Sequence, residues 1–106
     1  MSDYVLLFQG GKMPETEEAQ KQVMAAWETW FASIGDAVKD PGNPFSGQAK
    51  TISADGTVTD GSGGGSASGY TILKAGSLDE ATGLAKGCPV LQGGASIMVF
   101  ETFDVM

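Results

Sequence analysis

The sequence contains no arginine and no histidine, and its single cysteine is Cys88. Without histidine, no side chain titrates near neutral pH in its ordinary environment, and the usual zinc ligands are missing. Without arginine, there is no bidentate clamp for a carboxylate or a phosphate. A lone cysteine cannot form an intramolecular disulfide, which favours a reducing compartment. These absences exclude histidine-dependent catalysis, and we expect neither a cofactor nor a metal ion.

Positive charge is scarce as well, because six lysines face 13 acidic residues and the net charge is −7. Such a chain repels phosphate backbones and anionic lipid, so nucleic acid and membrane surfaces are not expected partners. No apolar run has the length of a membrane-spanning helix, and no signal-peptide pattern is present, which predicts a cytoplasmic protein. The length of 106 residues, 42% of them hydrophobic, predicts one folded domain over residues 1–106.

The first half of the chain predicts a strand followed by a long helix. Residues 3–9 form a short apolar run, with Tyr4 and its alternate neighbours on one side and Val5 and Leu7 on the other. Thr16 is a suitable N-cap, and the segment 40–42, Asp-Pro-Gly, is expected to end the helix. The apolar positions of this helix recur at three- and four-residue steps: Ala19, Val23, Trp27, Trp30, Phe31, Ile34 and Val38.

The second half predicts a hairpin, a loop, a strand, a helix and a last strand. Residues 48–53 and 57–59 are prone to form strands around an Asp-Gly turn, and residues 61–69 read as a flexible Gly/Ser-rich loop. Residues 70–75 form a strand, the capping box at 77–80 opens a short helix, and residues 95–103 form the final strand.

This order predicts an α+β fold, a ferredoxin-like βαββαβ sandwich with an antiparallel sheet and both helices on one face. Because the first strand is apolar on both sides, the sheet face without helices remains apolar. A patch of that size on a small monomer is a liability, and a second copy packed sheet to sheet removes it. We therefore expect a homodimer through the sheet face.

Several short motifs, in this order and spacing, resemble the YCII-related family (YciI-like, DGPF-domain) of small bacterial proteins. They occur at residues 4–11, 35–38, 43–44, 58–61, 69–72, 77–81 and 87–89. The resemblance covers almost the whole chain and implies a dimeric α+β barrel. Some members pair a histidine with an aspartate, and this chain has no histidine to complete that dyad. The Asp-Gly-Pro-Phe signature survives only as Asp60-Gly61, followed by Ser62-Gly63.

Two aspartates are candidate catalytic groups. Asp60 lies where an extended segment enters the glycine-rich loop, where it acts either as a general base or as a turn former that accepts backbone amides two residues on. Asp36 follows Gly35 near the end of the long helix, where a carboxylate opposes the helix dipole. It is either a site residue or an ordinary exposed acid.

The aromatic residues of the helix predict a small cleft. Trp27 and Trp30 lie about 300° apart on the helical wheel, so one of them points away from the centre of the apolar stripe. Phe31 is expected in the core, and Cys88, at the end of a helix, is expected to be a buried hydrophobe. The residues predicted to line the cleft and bind a ligand are Tyr4, Trp27, Trp30, Tyr70, Met98 and Phe100.

Three functional hypotheses remain open, and whether the protein is an enzyme is uncertain at this point. The first is a small dimer with a mostly apolar cleft that binds a small apolar or aromatic molecule. The second is a lyase or isomerase that removes a proton from a small cyclic acid, with Asp60 or Asp36 as the base and Tyr70 as its partner. The third is a structural or interaction dimer whose cleft is filled by side chains.

Overall fold

The computed structural model describes residues 2–11, 14–61 and 67–104. Six strands and two α-helices occur in these ranges, with short 3-10 turns at Gly35–Ala37 and Pro89–Gly93. In chain order the elements are β1 (Ser2–Gln9), α1 (Glu17–Ile34), β2 (Val38–Asp40), β3 (Lys50–Ile52), β4 (Val58–Asp60), β5 (Ala67–Ala75), α2 (Leu78–Ala85) and β6 (Ser96–Glu101).

Four of the strands form one antiparallel sheet in the order β2-β5-β1-β6. The central strand β1 pairs with β5 on one side and with β6 on the other. Helix α1 connects β1 to β2, and helix α2 lies between β5 and β6. This is the ferredoxin-like arrangement, so the predicted α+β fold is confirmed.

Both helices cover the same face of the sheet. Leu6 and Phe8 of β1 pack in one cluster with Trp30 of α1 and Ala85 of α2. Buried and half-buried residues alternate along β1, because successive side chains of a strand point to opposite faces. The prediction that both helices share one face is therefore confirmed.

Helix α1 ends earlier than the sequence pattern predicted. Its last helical residue is Ile34, and Gly35 follows with a φ of +49° and donates its amide to the carbonyl of Phe31. Glycine adopts this conformation without the penalty that other residues carry, so it ends the helix ahead of the Asp-Pro-Gly segment. Val38, which was assigned to the helix, instead opens β2 and pairs with Leu73. Its apolar side chain suits either assignment.

The predicted hairpin exists but does not belong to the main sheet. Strands β3 and β4 pair only with each other, with Ile52 opposite Val58, and form a separate two-stranded sheet. Gly56 supplies the positive φ of the turn, at +91°. We call residues 48–61 the arm. The second strand of the main sheet, counted along the chain, is β2 and not a strand of this hairpin. It lies at the edge of the sheet, beside β5.

Strand β5 begins at Ala67, inside the segment predicted to be a flexible loop. Gly69 pairs with Phe8, and a Cβ at this glycine would lie 3.1 Å from the carbonyl oxygen of Asn43. This glycine therefore serves close packing rather than flexibility. Residues 62–66 lie outside the described residues, and for them the flexible loop stays a prediction.

Gly42 is expected to be the least replaceable of the glycines that follow β2. Its φ is +71°, and an added Cβ would lie 1.7 Å from the carbonyl oxygen of Tyr70. We expect Gly42→Ala to lower the free energy of unfolding by at least ~3 kcal/mol, because backbone strain and a clash add together. Urea denaturation measures the loss.

Gly47→Ala is the matched control, since Gly47 also has a positive φ, of +97°, but open space around it. This variant should lower the free energy of unfolding by only ~1–2 kcal/mol, which is the cost of a left-handed backbone at a residue other than glycine. Equal losses in the two variants would contradict the close approach of residue 42 to β5.

Candidate functional site

The face of the main sheet that carries no helix is a continuous apolar surface. Val5 lies between Ile72 and Phe100 in the strand register, and Leu7 lies between Tyr70 and Met98. We call these six residues the apolar face. Met98 is 41% exposed and Phe100 is 45% exposed. The protein measures only 17 Å along its shortest axis, which accommodates one sheet and one helix layer.

Phe45 extends the apolar face at its rim. Its ring stacks on the ring of Tyr70, with centroids 6.0 Å apart and an interplanar angle of 28°. Its amide donates to the carbonyl of Ser68 at 2.8 Å, which holds the segment against β5. Sequence reasoning did not single out Phe45, although one aromatic residue between proline, glycine and polar neighbours was a signal.

Charged groups gather at one end of the apolar face. Lys39 of β2 donates to the carboxylate of Asp3, and this hydrogen bond raises the pKa of Lys39. Lys74 lies opposite Asp3 in the register of β1 and β5. The end of the face therefore carries paired charges rather than a concentration of acids.

The space between α1 and the sheet is filled with aromatic rings. Neighbouring ring centroids lie 5.1 to 5.7 Å apart in a cluster made of Phe8, Trp27, Trp30 and Phe31. The indole nitrogen of Trp30 donates to the carbonyl of Leu84 at 3.1 Å, which ties α1 to α2. These rings occupy the position where the sequence predicted a cleft between helix and sheet.

A shallow groove of about 380 Å³ lies on the outer side of Trp30, between α1 and the turn after α2. A Cβ at Gly87 would lie 3.3 Å from Cδ1 of Trp30, so the glycine allows its backbone to pack closely against the indole. The described residues that line the groove supply hydroxyl, amide and apolar groups, and none of them carries a charge. Its lining residues are Ala26, Thr29, Trp30, Ser33, Gly87, Pro89 and Gln92.

The sheet divides the residues predicted to bind a ligand into two groups. Tyr4 is fully buried and lies on the helix side of the sheet with Trp27 and Trp30. Its hydroxyl donates to Glu101 Oε2 at 2.8 Å. Burial, together with this hydrogen bond, raises the pKa of Tyr4. Tyr70, Met98 and Phe100 lie on the opposite face. Within one subunit these six side chains therefore do not line one cavity.

Asp60 lies on the arm, on strand β4. Its Oδ1 accepts from Lys50 Nζ at 2.6 Å, and its side chain is 90% exposed. It borders an open hollow of about 680 Å³ at the base of the arm. Asp36 is exposed in the turn after α1. Both aspartates are therefore exposed to water, and neither lies in the kind of apolar cleft in which a general base is expected.

The turn-forming role considered for Asp60 is filled elsewhere by two other aspartates. Asp40 accepts from the amide of Gly42 at 2.8 Å, and Asp55 accepts from the amide of Thr57 at 2.9 Å. The bonds from Thr57 lower the pKa of Asp55. The amide two residues after Asp60 belongs to residue 62, outside the described residues, so that role stays a prediction.

Among residues 2–11, 14–61 and 67–104, no three acidic or cysteine side chains group together as a metal site. Neither helix in these ranges has the length and apolarity needed to cross a bilayer.

No family model and no curated protein matches this sequence. The fold is similar to that of 5-chloro-2-hydroxyhydroquinone dehydrochlorinase (TftG) from Burkholderia phenoliruptrix AC1100, solved in complex with 2,5-dihydroxybenzoquinone. The TM-score is 0.53 and the identity 19%, over 94% of this chain and 93% of that chain. That protein belongs to the dimeric α+β barrel fold class, which includes YCII-like proteins. At this identity, the likeness shows the fold.

The thiol of Cys88 is expected to be unreactive in the folded protein. Cys88 is 2% exposed, and burial raises its pKa to about 11. At pH 8 only ~0.1% of such a thiol is ionised, and the thiolate is the reactive form. We expect Ellman's reagent to leave the native protein unlabelled for minutes at pH 8 and to label it completely in urea.

The same shift predicts how stability depends on pH. Because the folded pKa is raised, the contribution of Cys88 is complete below its ordinary pKa near 9 and is lost as the pH rises towards 11. Cys88→Ala should flatten this part of the alkaline stability curve. In the labelling experiment, rapid stoichiometric reaction of the native protein with Ellman's reagent would contradict the burial of Cys88.

Proposed function

We propose that this protein is a homodimer of the YCII-related family and that it binds a small ring compound of low charge. The observation that carries the proposal is the uncovered apolar face. A contiguous apolar patch of roughly this size is often an interaction site, and an identical copy supplies a self-complementary cover. The fold class of the dehydrochlorinase and the motifs that resemble the YCII-related family support the same arrangement.

The proposed ligand site is the groove beside Trp30. Its volume falls within the ~300–1,000 Å³ range of small-molecule sites. Thr29, Ser33 and Gln92 supply hydroxyl and amide groups around it, and the groove has no lysine to neutralise an anion. A neutral ring with one or two hydroxyl groups suits this lining. The ring compound bound by the dehydrochlorinase is consistent with this size class.

A dimer without a ligand is the second candidate, because one observation favours it. The aromatic rings of Phe8, Trp27, Trp30 and Phe31 fill the space between α1 and the sheet. A protein with a purely structural or interaction role needs no cavity there. The enzyme hypothesis has less support, because Asp60 is exposed and paired with Lys50, and the groove contains no carboxylate.

The dimer is tested by Phe100→Glu, which places a charge on the edge strand β6 of the apolar face. Sedimentation equilibrium at micromolar concentration should give twice 10.9 kDa for the wild type and 10.9 kDa for the variant. Burying an unpaired carboxylate between two apolar surfaces is strongly unfavourable. Leu78→Glu is the matched control, since Leu78 is 46% exposed at the start of α2, away from this face.

The control should remain dimeric. A wild type that sediments at 10.9 kDa over the whole concentration range would contradict the dimer.

Ligand binding is tested by titrating ¹⁵N-labelled protein with hydroquinone and, in parallel, with 2,5-dihydroxybenzoquinone. Hydroquinone is neutral at pH 7 and the second compound is ionised, so we expect the neutral ring to bind more tightly. The NMR chemical-shift changes should concentrate at the amides of Gly87 and Gln92 and at the indole NH of Trp30. Ser33→Leu should abolish them by filling the groove.

Ala32→Leu is the control, because Ala32 is the adjacent residue of α1 and does not line the groove. No shift with either compound at millimolar concentration would favour the dimer without a ligand.

A further inference from the structure

The arm is a two-stranded hairpin that presents an apolar pair to solvent. Ile52 and Val58 lie directly opposite each other, and their exposed fractions are 71% and 56%. A two-stranded hairpin is at best marginally stable in water unless its apolar side packs on another surface. The pair at the far end of the arm therefore lacks the contact that such a hairpin ordinarily needs.

The arm extends sideways from the main sheet. The Cα radius of gyration is 15.2 Å, whereas a compact domain of this length has about 13 Å. The overall extents are 44 × 40 × 17 Å, and the short third dimension leaves no space for a third layer. The arm consequently does not fold over the apolar face of its own subunit.

The apolar face by itself is small for a stable dimer. The whole helix-free side of the main sheet, of which the apolar face is a part, comprises strands of 8, 3, 9 and 6 residues. At the usual strand spacing and rise they cover roughly 400 Å². A standard stable interface buries about 800 Å² on each partner, which is about twice this projected area. A face-to-face dimer therefore needs additional contact area.

We propose that each arm packs its Ile52 and Val58 side chains onto the second copy of this chain, so that two arms clasp the dimer. The proposal rests on the homodimer proposed above. Phe45, just before the arm, stacks on Tyr70 of the apolar face, so the two apolar surfaces lie at neighbouring points of the chain. In a two-fold dimer each arm makes the same contact, and the added area counts twice.

The charge pattern of the arm fits this role. Lys50 and Asp60 form an ion pair two residues from Ile52 and Val58, on the same side of the hairpin. An apolar contact bordered by paired charges is the usual composition of a protein interface. The opposite side of the arm carries threonines, Thr51 and Thr59, and is suited to solvent.

Val58→Glu and Thr59→Glu form a matched pair for the test, because the two positions are adjacent on β4 and point to opposite sides. Sedimentation equilibrium over a range of concentrations gives the dimer dissociation constant of each variant. We expect Val58→Glu to raise it at least tenfold and Thr59→Glu to change it less than threefold.

The outcomes separate the arm from the dimer itself. If wild type and both variants dimerise equally well, the arm proposal is wrong while the face-to-face dimer stands. If the wild type is a monomer throughout, both proposals fall.

Amide hydrogen exchange of β3 and β4 provides a second measurement. The proposal requires protection that appears only at concentrations where the dimer forms. Protection that is independent of concentration would mean that the arm packs on its own chain, and absence of protection in the dimer would mean that it packs on nothing. Either result overturns the proposal.

Discussion

Strand β1 lies at the centre of the main sheet and is apolar on both sides, and the other layers are arranged around this constraint. On one side, Leu6 and Phe8 are covered by the aromatic residues of α1 and the small residues of α2. On the other side, Val5 and Leu7 are flanked by Ile72, Tyr70, Met98 and Phe100, and the part of the chain that the structure describes forms no further layer above them. A strand that is apolar on both sides is typical of a sheet that is covered on both faces, and the proposed homodimer would supply the second cover.

The parts of the fold that alternate or recur regularly could be predicted from the sequence. The strand at 3–9, the capping residues Thr16 and Ser77 and the face shared by both helices follow from local rules, and both caps are present. The assignments that failed depended on partners distant in the chain. Val38 continues the helical stripe, and only its pairing with Leu73 makes it a strand residue. The hairpin around Gly56 is a local structure, and its separation from the main sheet is not encoded locally.

The candidate site was harder to predict for the same reason. Tyr4 and Tyr70 are both aromatic strand residues, and they lie on opposite faces because Tyr70 pairs with Leu7 rather than with Leu6. A shift of one residue in register would have placed both on one side. The groove beside Trp30 depends on Gly87, which is far from Trp30 in sequence. A glycine that leaves room for an indole cannot be distinguished in the sequence from one that ends a helix.

The charge of the chain raises a further question, since two copies with a net charge of −7 repel each other. The distribution of charge on the apolar face reduces this repulsion where the copies would meet. Asp3 lies at one end of this face with Lys39 and Lys74, so its negative charge is balanced there by two of the six lysines. Charges farther away are screened over about 8 Å at physiological salt. In the proposed dimer, the short-range apolar contact would therefore determine association, and the excess acid on the outer surfaces would oppose further aggregation.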